Sequence, residues 1–511
     1  MRKIAALAVS LFLIGTQTVK AEGLLGISKI TTDGSLEVLG ASANNESDFN
    51  GKVNDRRGDT ITRVRVGMDA DVADDVSARV EVVRNSKDNS TSAAPADMTT
   101  YGNANRPTSL QNELDLIRIQ NAYVELKDFL YTDSVRLGRQ YGGRKGDLLV
   151  YYGPNEDDAM SVNALDALQV QKQIGKVDAL FVTGKAYSTR GVPGSGTDTA
   201  ANDTAVGTNG DINVTYLTLS SAKMIQDIRL PLEIGIYQGR ATGNGRYSGD
   251  ERTLMIYDFR AGYGFLNDAL NVGGEYAMNG GQDDDPSGTI PPPNPQTKGK
   301  YKGSAYVLKG DYAIAPQGLD FKAIYANSSG NNPSSSSPND KAFHDGGDLF
   351  NAASNDFHYG EILSNDNTLA AAGYSFGHAG LGTGQYGPGL NIIGLGAKYT
   401  PANLLNGKTT YSLDYYTVKA NKVAAGANKK IGNEIDLAVV YRHSRAITAT
   451  AGYAMLSPGT GLASGFAPNP GSVQTDKVTK LYAKLSIKFG GEKKAEETPA
   501  PAVRKAPARR R

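Results

Sequence analysis

The chain contains no cysteine and no tryptophan among its 511 residues. Without thiols it can build neither a disulfide framework nor a cysteine-ligated metal site. Histidine is nearly as scarce, with 4 residues scattered along the sequence, so no imidazole cluster has metal-ligand spacing. Phenylalanine stands at 13 against 27 tyrosines, which makes most of the aromatics amphipathic. Beyond the N-terminal leader there is no apolar run of the roughly twenty residues that a membrane-crossing helix requires. Neither sign of charge dominates, Lys+Arg being 54 and Asp+Glu 53, and this balance offers no basic surface for nucleic acid. No motif for a cofactor is present. Taken alone, the mean hydropathy of -0.38 reads as that of a soluble protein.

What the chain does have is glycine, 60 residues of it, and alternation. In "TITRVRVGMDADVADDVSARVEVVRN", Thr60 to Asn85, apolar residues recur at every second position. A helix would scatter Val64, Val66, Met68, Ala70 and Val72 around its circumference, whereas a strand gathers them on one face. With a turn at Ala73 to Asp75, pairing sets Val72 opposite Val76, Ala70 opposite Ala78, Met68 opposite Val80 and Val66 opposite Val82. The same register puts Asp69 opposite Arg79 and Arg65 diagonal to Glu81, so charges of opposite sign meet across the strands. One wall is oily and the other charged.

The pattern recurs to the end of the chain. "RLPLEIGIYQG" (229–239), "LNVGGEYAMN" (270–279), "NEIDLAVVYRH" (433–443) and "KLYAKLSIKF" (480–489) each carry one apolar and one polar face. Connections alternate in length. Short ones contain Ala73 to Asp75, Gly175-Lys176, Phe265 to Asp268, Ala315 to Gly318 and Pro401 to Gly407. Long polar ones run over 86–111, 141–164, 188–210, 280–300, 327–367 and 457–475. A soluble sandwich also alternates, but its turns have no reason to sort by length on opposite ends. A transmembrane antiparallel β-barrel has short periplasmic turns and long extracellular loops, and closure removes the sheet edges that lipid forbids. The expectation is therefore an all-β barrel of about eighteen strands, with sixteen as the alternative, lipid outside and water inside. Tyr216, Tyr263, Tyr276, Tyr312, Tyr399 and Tyr441, near strand ends, are expected to form an interfacial belt.

The ends carry different instructions. Residues 1–21 combine basic Arg2 and Lys3, an apolar core from Ile4 to Ile14 and a small-residue cleavage site at Ala21, the pattern of a secretory signal. The barrel is expected over 22–489. Residues 490–511, rich in Ala, Pro and basic residues, are expected to form a disordered periplasmic tail that either contacts the cell wall or serves as a passive linker.

Candidate pore-lining residues are Arg63, Arg65, Arg79, Arg118, Arg136, Arg139 and Arg260, with Asp69, Asp71 and Glu81 among them. Guanidinium rings bind and relay carboxylates or phosphates; the competing reading is that Asp69, Asp71, Glu81, Glu125 and Asp258 neutralise them. In "SVRLGRQ" the spacing also allows Arg139 to share the face of Val135 and Leu137. The loop stretch "HDGGDLFNAASNDFHYG" (344–360) lies in the longest segment with little strand pattern and is expected to fold into the lumen.

"NAYVELKDF" (121–129), "VRLGRQYGG" (135–143) and "ALDALQVQKQI" (164–174) together resemble the early segments of the alginate-export family of outer-membrane porins. That resemblance implies an eighteen-stranded barrel with an arginine-lined passage for anionic solutes. Two enzyme-like strings carry less. "GYSFG" (373–377) lacks the strand-to-helix context of a nucleophile elbow. In "YRHSR" (441–445), His443 and Ser444 are neighbours and point to opposite faces of a strand. "QDDDP" (282–286) reads as a solvated loop tip. The functional expectation is a non-enzymatic outer-membrane channel for small hydrophilic solutes, with an anionic bias. An exporter of an acidic polysaccharide and an adhesin or structural barrel are the alternatives.

Overall fold

The computed structural model describes residues 29–45, 49, 51–52, 56–87, 117–143, 148–149, 151–155, 160, 162–187, 211–221, 232–242, 251–283, 299–331, 339–345, 359–364, 376, 387–462 and 475–490. Residues 1–21, expected to be a secretory leader, and the expected tail from 491 onward lie outside them, and Gly490 is the last residue of the final strand. The strands are β1 (Lys29–Asn44), β2 (Arg57–Ala73), β3 (Val76–Lys87), β4 (Ile117–Lys127), β5 (Ser134–Gln140), β6 (Gly142–Gly143) and β7 (Tyr151–Tyr152). There follow β8 (Leu165–Ile174), β9 (Val177–Tyr187), β10 (Asp211–Ser220), β11 (Leu232–Thr242), β12 (Glu251–Phe265), β13 (Leu270–Asp283) and β14 (Gly299–Lys300). The last seven are β15 (Ser304–Ile314), β16 (Leu319–Ser328), β17 (Leu390–Tyr399), β18 (Thr409–Ala420), β19 (Lys430–Arg442), β20 (Ile447–Pro458) and β21 (Val478–Gly490).

Eighteen of these form one closed antiparallel barrel. Each pairs with the next in sequence, and β1 pairs with β21 from Asp33 opposite Gly490 to Asn44 opposite Thr479, which completes the ring. β14 only extends the edge of β13, and β6 with β7 makes a small hairpin within the β5–β8 connection. Among the described residues no helix is long and apolar enough to cross a membrane; the crossing elements are strands.

The β2–β3 hairpin has the register read from its sequence: Ala70 faces Ala78, Met68 faces Val80, Val66 faces Val82 and Asp69 faces Arg79. Its turn is tighter than expected. Ala73 faces Val76 across Asp74-Asp75, and an irregularity between Asp71 and Ala73 absorbs the extra residue. A two-residue connection suits the strand twist better than a three-residue one, and the bulge restores the faces. A one-residue slip would turn Arg63 and Arg79 toward lipid, at about 2–4 kcal/mol each near the bilayer midplane.

Outward faces carry Met68, Leu137, Ile234, Leu395, Leu437 and Leu481, all exposed on the barrel surface. Tyr263, Tyr276, Tyr312 and Tyr399 share that face, as a belt requires. Tyr216 does not. It is 2% exposed against 46% for Tyr276, because Leu217 and Leu219 take the outward positions of β10 and leave Tyr216 to stack on Tyr237 inside, ring centroids 5.3 Å apart.

The lumen is not uniformly wet. Toward the short turns its wall is charged, but toward the long loops Leu254 and Ile256 of β12, Ile392 of β17, Val418 of β18 and Leu456 of β20 also face inward, each 0% exposed. Loop residues Leu148, Tyr152, Phe343, Ile362 and Phe376 cover them and join one apolar cluster. Burying a large apolar side chain is worth roughly 1.5–3 kcal/mol, so this inner face draws the connections into the barrel.

Candidate solute passage

The wall from β1 to β5 sets arginines against acids on adjacent strands. Arg79 holds three carboxylates at once: Nη1 lies 2.7 Å from Asp69, and Nη2 lies 3.1 Å from Asp33 and 2.8 Å from Glu81. Glu81 also accepts a 2.5 Å hydrogen bond from the Tyr141 hydroxyl. Arg63 pairs with Glu37 at 2.7 Å, and Lys484 of β21 reaches the same carboxylate at 3.4 Å. Arg136 pairs with Glu125 at 3.1 Å while its guanidinium sits 4.4 Å from the centre of the Tyr123 ring. Arg65 differs from these: its Nε donates to the Ser35 hydroxyl at 3.0 Å. Across the barrel, Arg260 lies among Glu233 at 3.3 Å, Asp258 at 2.8 Å and Glu275 at 3.5 Å. Lys322 and Asp414 form a further pair at 2.9 Å.

Arg118 lies on the inward face opposite Val83, and Asp71 opposite Ser77. Arg139 is the exception among the candidates. The pairing of Ala122 with Arg139 and Val124 with Leu137 gives it the outward parity of Leu137, and it meets Asp166 on that face at 3.2 Å. Alternation along β5 decides this: Arg136 takes the lumen position, so Arg139, three residues on, takes the opposite one.

Among the described residues, two connections are anchored to lumen side chains on the strands. In the one from 141 to 164, Arg63 of β2 donates to the carbonyl oxygens of Asn155 at 2.6 Å and Met160 at 3.1 Å. The Leu148 amide donates to Glu275 of β13 at 2.9 Å. β2 is the second strand around the ring and β13 the eleventh, so the segment is tied to diametrically opposite walls. The other connection runs between β16 and β17. The amides of Ile362 and Leu363 donate to the two carboxylate oxygens of Glu434 at 2.7 and 2.9 Å, and the Glu361 amide donates to Asp436 at 3.2 Å. Lys480 donates to the Glu361 carbonyl oxygen at 3.0 Å. Gly360, at φ +130, is required there because a Cβ would lie 2.5 Å from Glu434.

Nearer β13, Asn279 and the His344 backbone exchange hydrogen bonds at 2.7 and 2.9 Å, and His344 Nε2 meets Asp340 at 2.7 Å. Burial pushes the Asp340 carboxyl up, but the His344 hydrogen bond and charge, with the Ala342 amide and Asn331, outweigh it and hold the carboxyl below its ordinary range. Burial raises the Tyr359 phenol, with Asp345 and Glu434 adding to it, and raises that of Tyr152 well above the usual value. The expected lumen segment 344–360 is described only at its ends, where His344, Asp345, Tyr359 and Gly360 are all buried; 346–358 lies outside the described residues.

Sequence reading did not find the crossing of 141–164, nor Glu434, Lys480 and Glu275 as anchors. The available signal was the loss of alternation in "TLMIY" (253–257), "LNII" (390–393) and "AML" (454–456), where both faces turn apolar and something inside must cover one of them.

No family model matches the chain, and no curated protein matches it in sequence. Solved structures do match in shape. Pseudomonas aeruginosa OccK8 (OprE) aligns at TM-score 0.54 and 11% identity over 90% of this chain and 98% of that one. The outer membrane protein OpdK of the same organism aligns at TM-score 0.51 and 10% identity over 90% and 99%. Acinetobacter baumannii OccAB1 aligns at 0.50 and 10% over 93% and 100%. The likeness is one of fold. This chain has the eighteen-stranded outer-membrane barrel fold, with the strand number that the alginate-export resemblance also implied.

Proposed function

We propose that the protein is a channel for passive diffusion of small hydrophilic solutes, narrowed by its own inward connections. The carrying observation is the 141–164 segment, tied to β2 through Arg63 and to β13 through Glu275 on the opposite wall. A lumen lined by partnered charges stays hydrated, while a strap across it limits solute size. Arg79, Arg136 and Arg260 face acids and lend little net sign; Arg65, on Ser35, is the residue that favours an anionic bias. Export of an acidic polysaccharide, the narrower activity implied by the alginate-export resemblance, would require a long chain to displace the strap. In this reading residues 1–21 direct secretion, and the basic tail touches the cell wall from the periplasm. Planar-bilayer recording tests the channel: steady single-channel conductance is expected, and a closed barrel would favour the adhesin or structural reading.

A further inference from the structure

The outward face of the barrel is uneven at its loop end. Following the hydrogen-bonded row across the wall, Arg139 of β5 faces Asp166 of β8, Asp166 faces Lys185 of β9, Lys185 faces Asn213 of β10, and Asn213 faces Arg240 of β11. All five share the outward parity of exposed neighbours Leu137, Phe181, Leu217 and Ile236. Three bases, one acid and one amide thus fill five consecutive positions just beyond the apolar band. Successive bases rise from backbones two strands apart, roughly 10 Å. Arg240 is exposed, and Arg139 meets Asp166 at 3.2 Å with both side chains partly open. On the opposite arc the corresponding row runs from Tyr306 through Asn327 and Asn391 to Lys419 and Lys430, two exposed lysines and no arginine.

We propose that the row Arg139–Lys185–Arg240 is a docking site for the phosphorylated glycolipid headgroup of the outer leaflet. Basic side chains at this height extend their charged ends into the headgroup layer while their stems cover the apolar wall. Arginine adds bidentate geometry toward phosphate oxygens. Asp166 orients Arg139, and Asn213 supplies a neutral amide between the two outer bases. Its two arginines set this row apart from the Lys419–Lys430 pair of the opposite arc. The inference rests on the outer-membrane location alone and is independent of what passes through the lumen.

The test uses the full barrel purified in nonionic detergent, with bis-phosphorylated lipid A and the same lipid after dephosphorylation, and reads bound adducts by native mass spectrometry. The wild type should retain the bis-phosphorylated lipid and lose the dephosphorylated one. Combining Arg139→Gln, Lys185→Gln and Arg240→Gln should weaken retention by roughly a hundredfold, at about fivefold per base removed; Lys419→Ala should leave it unchanged. Equal retention of both lipids by the wild type, or full retention by the triple variant, overturns the proposal. Should the triple variant not fold, Lys185→Gln with Arg240→Gln keeps the Arg139 pair and decides the matter. A change of oligomeric state independent of lipid phosphate would make the row a contact between copies of this chain and overturn the lipid site. Bilayer conductance of the variants should stay at the wild-type level, which separates this test from that of the channel.

Discussion

The Arg63 guanidinium bridges a lumen acid and a loop backbone: Nε lies 2.8 Å from Glu37, and Nη1 lies 2.6 Å from the Asn155 carbonyl oxygen. A residue read from sequence as a contact for passing anions is 2% exposed and serves as the fastening of the strap. Replacing it by Ala removes hydrogen bonds from a charged donor, each worth about 1.5–3 kcal/mol. Single-channel conductance of Arg63→Ala should rise and its current noise increase. A folded variant with wild-type conductance would show that the strap is held elsewhere.

The second connection is released differently. Glu434→Ala deletes both acceptors for the Ile362 and Leu363 amides and leaves Asp436 to hold the Glu361 amide alone. A loss of about 1–3 kcal/mol in seating corresponds to roughly 5- to 150-fold greater opening. Limited proteolysis of the detergent-solubilised barrel should cut near 359–364 correspondingly faster. Equal cleavage rates for variant and wild type would refute the anchor.

Charge selection centres on Arg65. Arg65→Glu reverses a charge whose hydrogen bond is to a hydroxyl rather than a carboxylate. At low salt the reversal potential should move toward cations, and at 1 M the shift should shrink because the Debye length falls to about 3 Å. The same change at Arg79, which leaves Asp33, Asp69 and Glu81 without their shared base, should instead impair folding, visible as loss of heat-modifiable gel migration. A null shift at Arg65 in an intact barrel would leave the lumen merely wet.

The Asp340 contact with His344 predicts an acid limit. Because the folded carboxyl is held below its ordinary 3.8, its contribution is fully present above that value and is lost as pH falls through the depressed one. Segment 339–345 should therefore stay seated on Asn279 from neutral pH to about 4 and loosen below, followed by pH-dependent current noise. Asp340→Asn should be noisier at neutral pH and show a weaker acid step.

Much of this is legible in the sequence. The β2–β3 register follows from period-2 alternation, and so does the inward ladder of Lys480, Lys484 and Lys488 against outward Leu481 and Leu485. Arg139 was legible only through Leu137, since a single strand offers two faces and no label. Tyr216 misled because tyrosine suits both an interfacial belt and a stacked interior. The strap was hidden for another reason: its anchors, Arg63 and Glu275, are ordinary lumen charges in sequence, and only closure of the ring sets them opposite each other.

Closure has a temporal side as well. Strand β1 finds its final partner in β21, nearly the whole chain away, so one edge of the growing sheet stays open until the last strand arrives. Every other pairing is between sequence neighbours and can form early, whereas this seam bears the largest loop-closure entropy in the molecule. A chain shortened before Val478 would leave β1 and β20 each with a bare row of amides and carbonyls, a template for joining other copies edge to edge. The final thirteen residues of the barrel, Val478–Gly490, thus act as its lock.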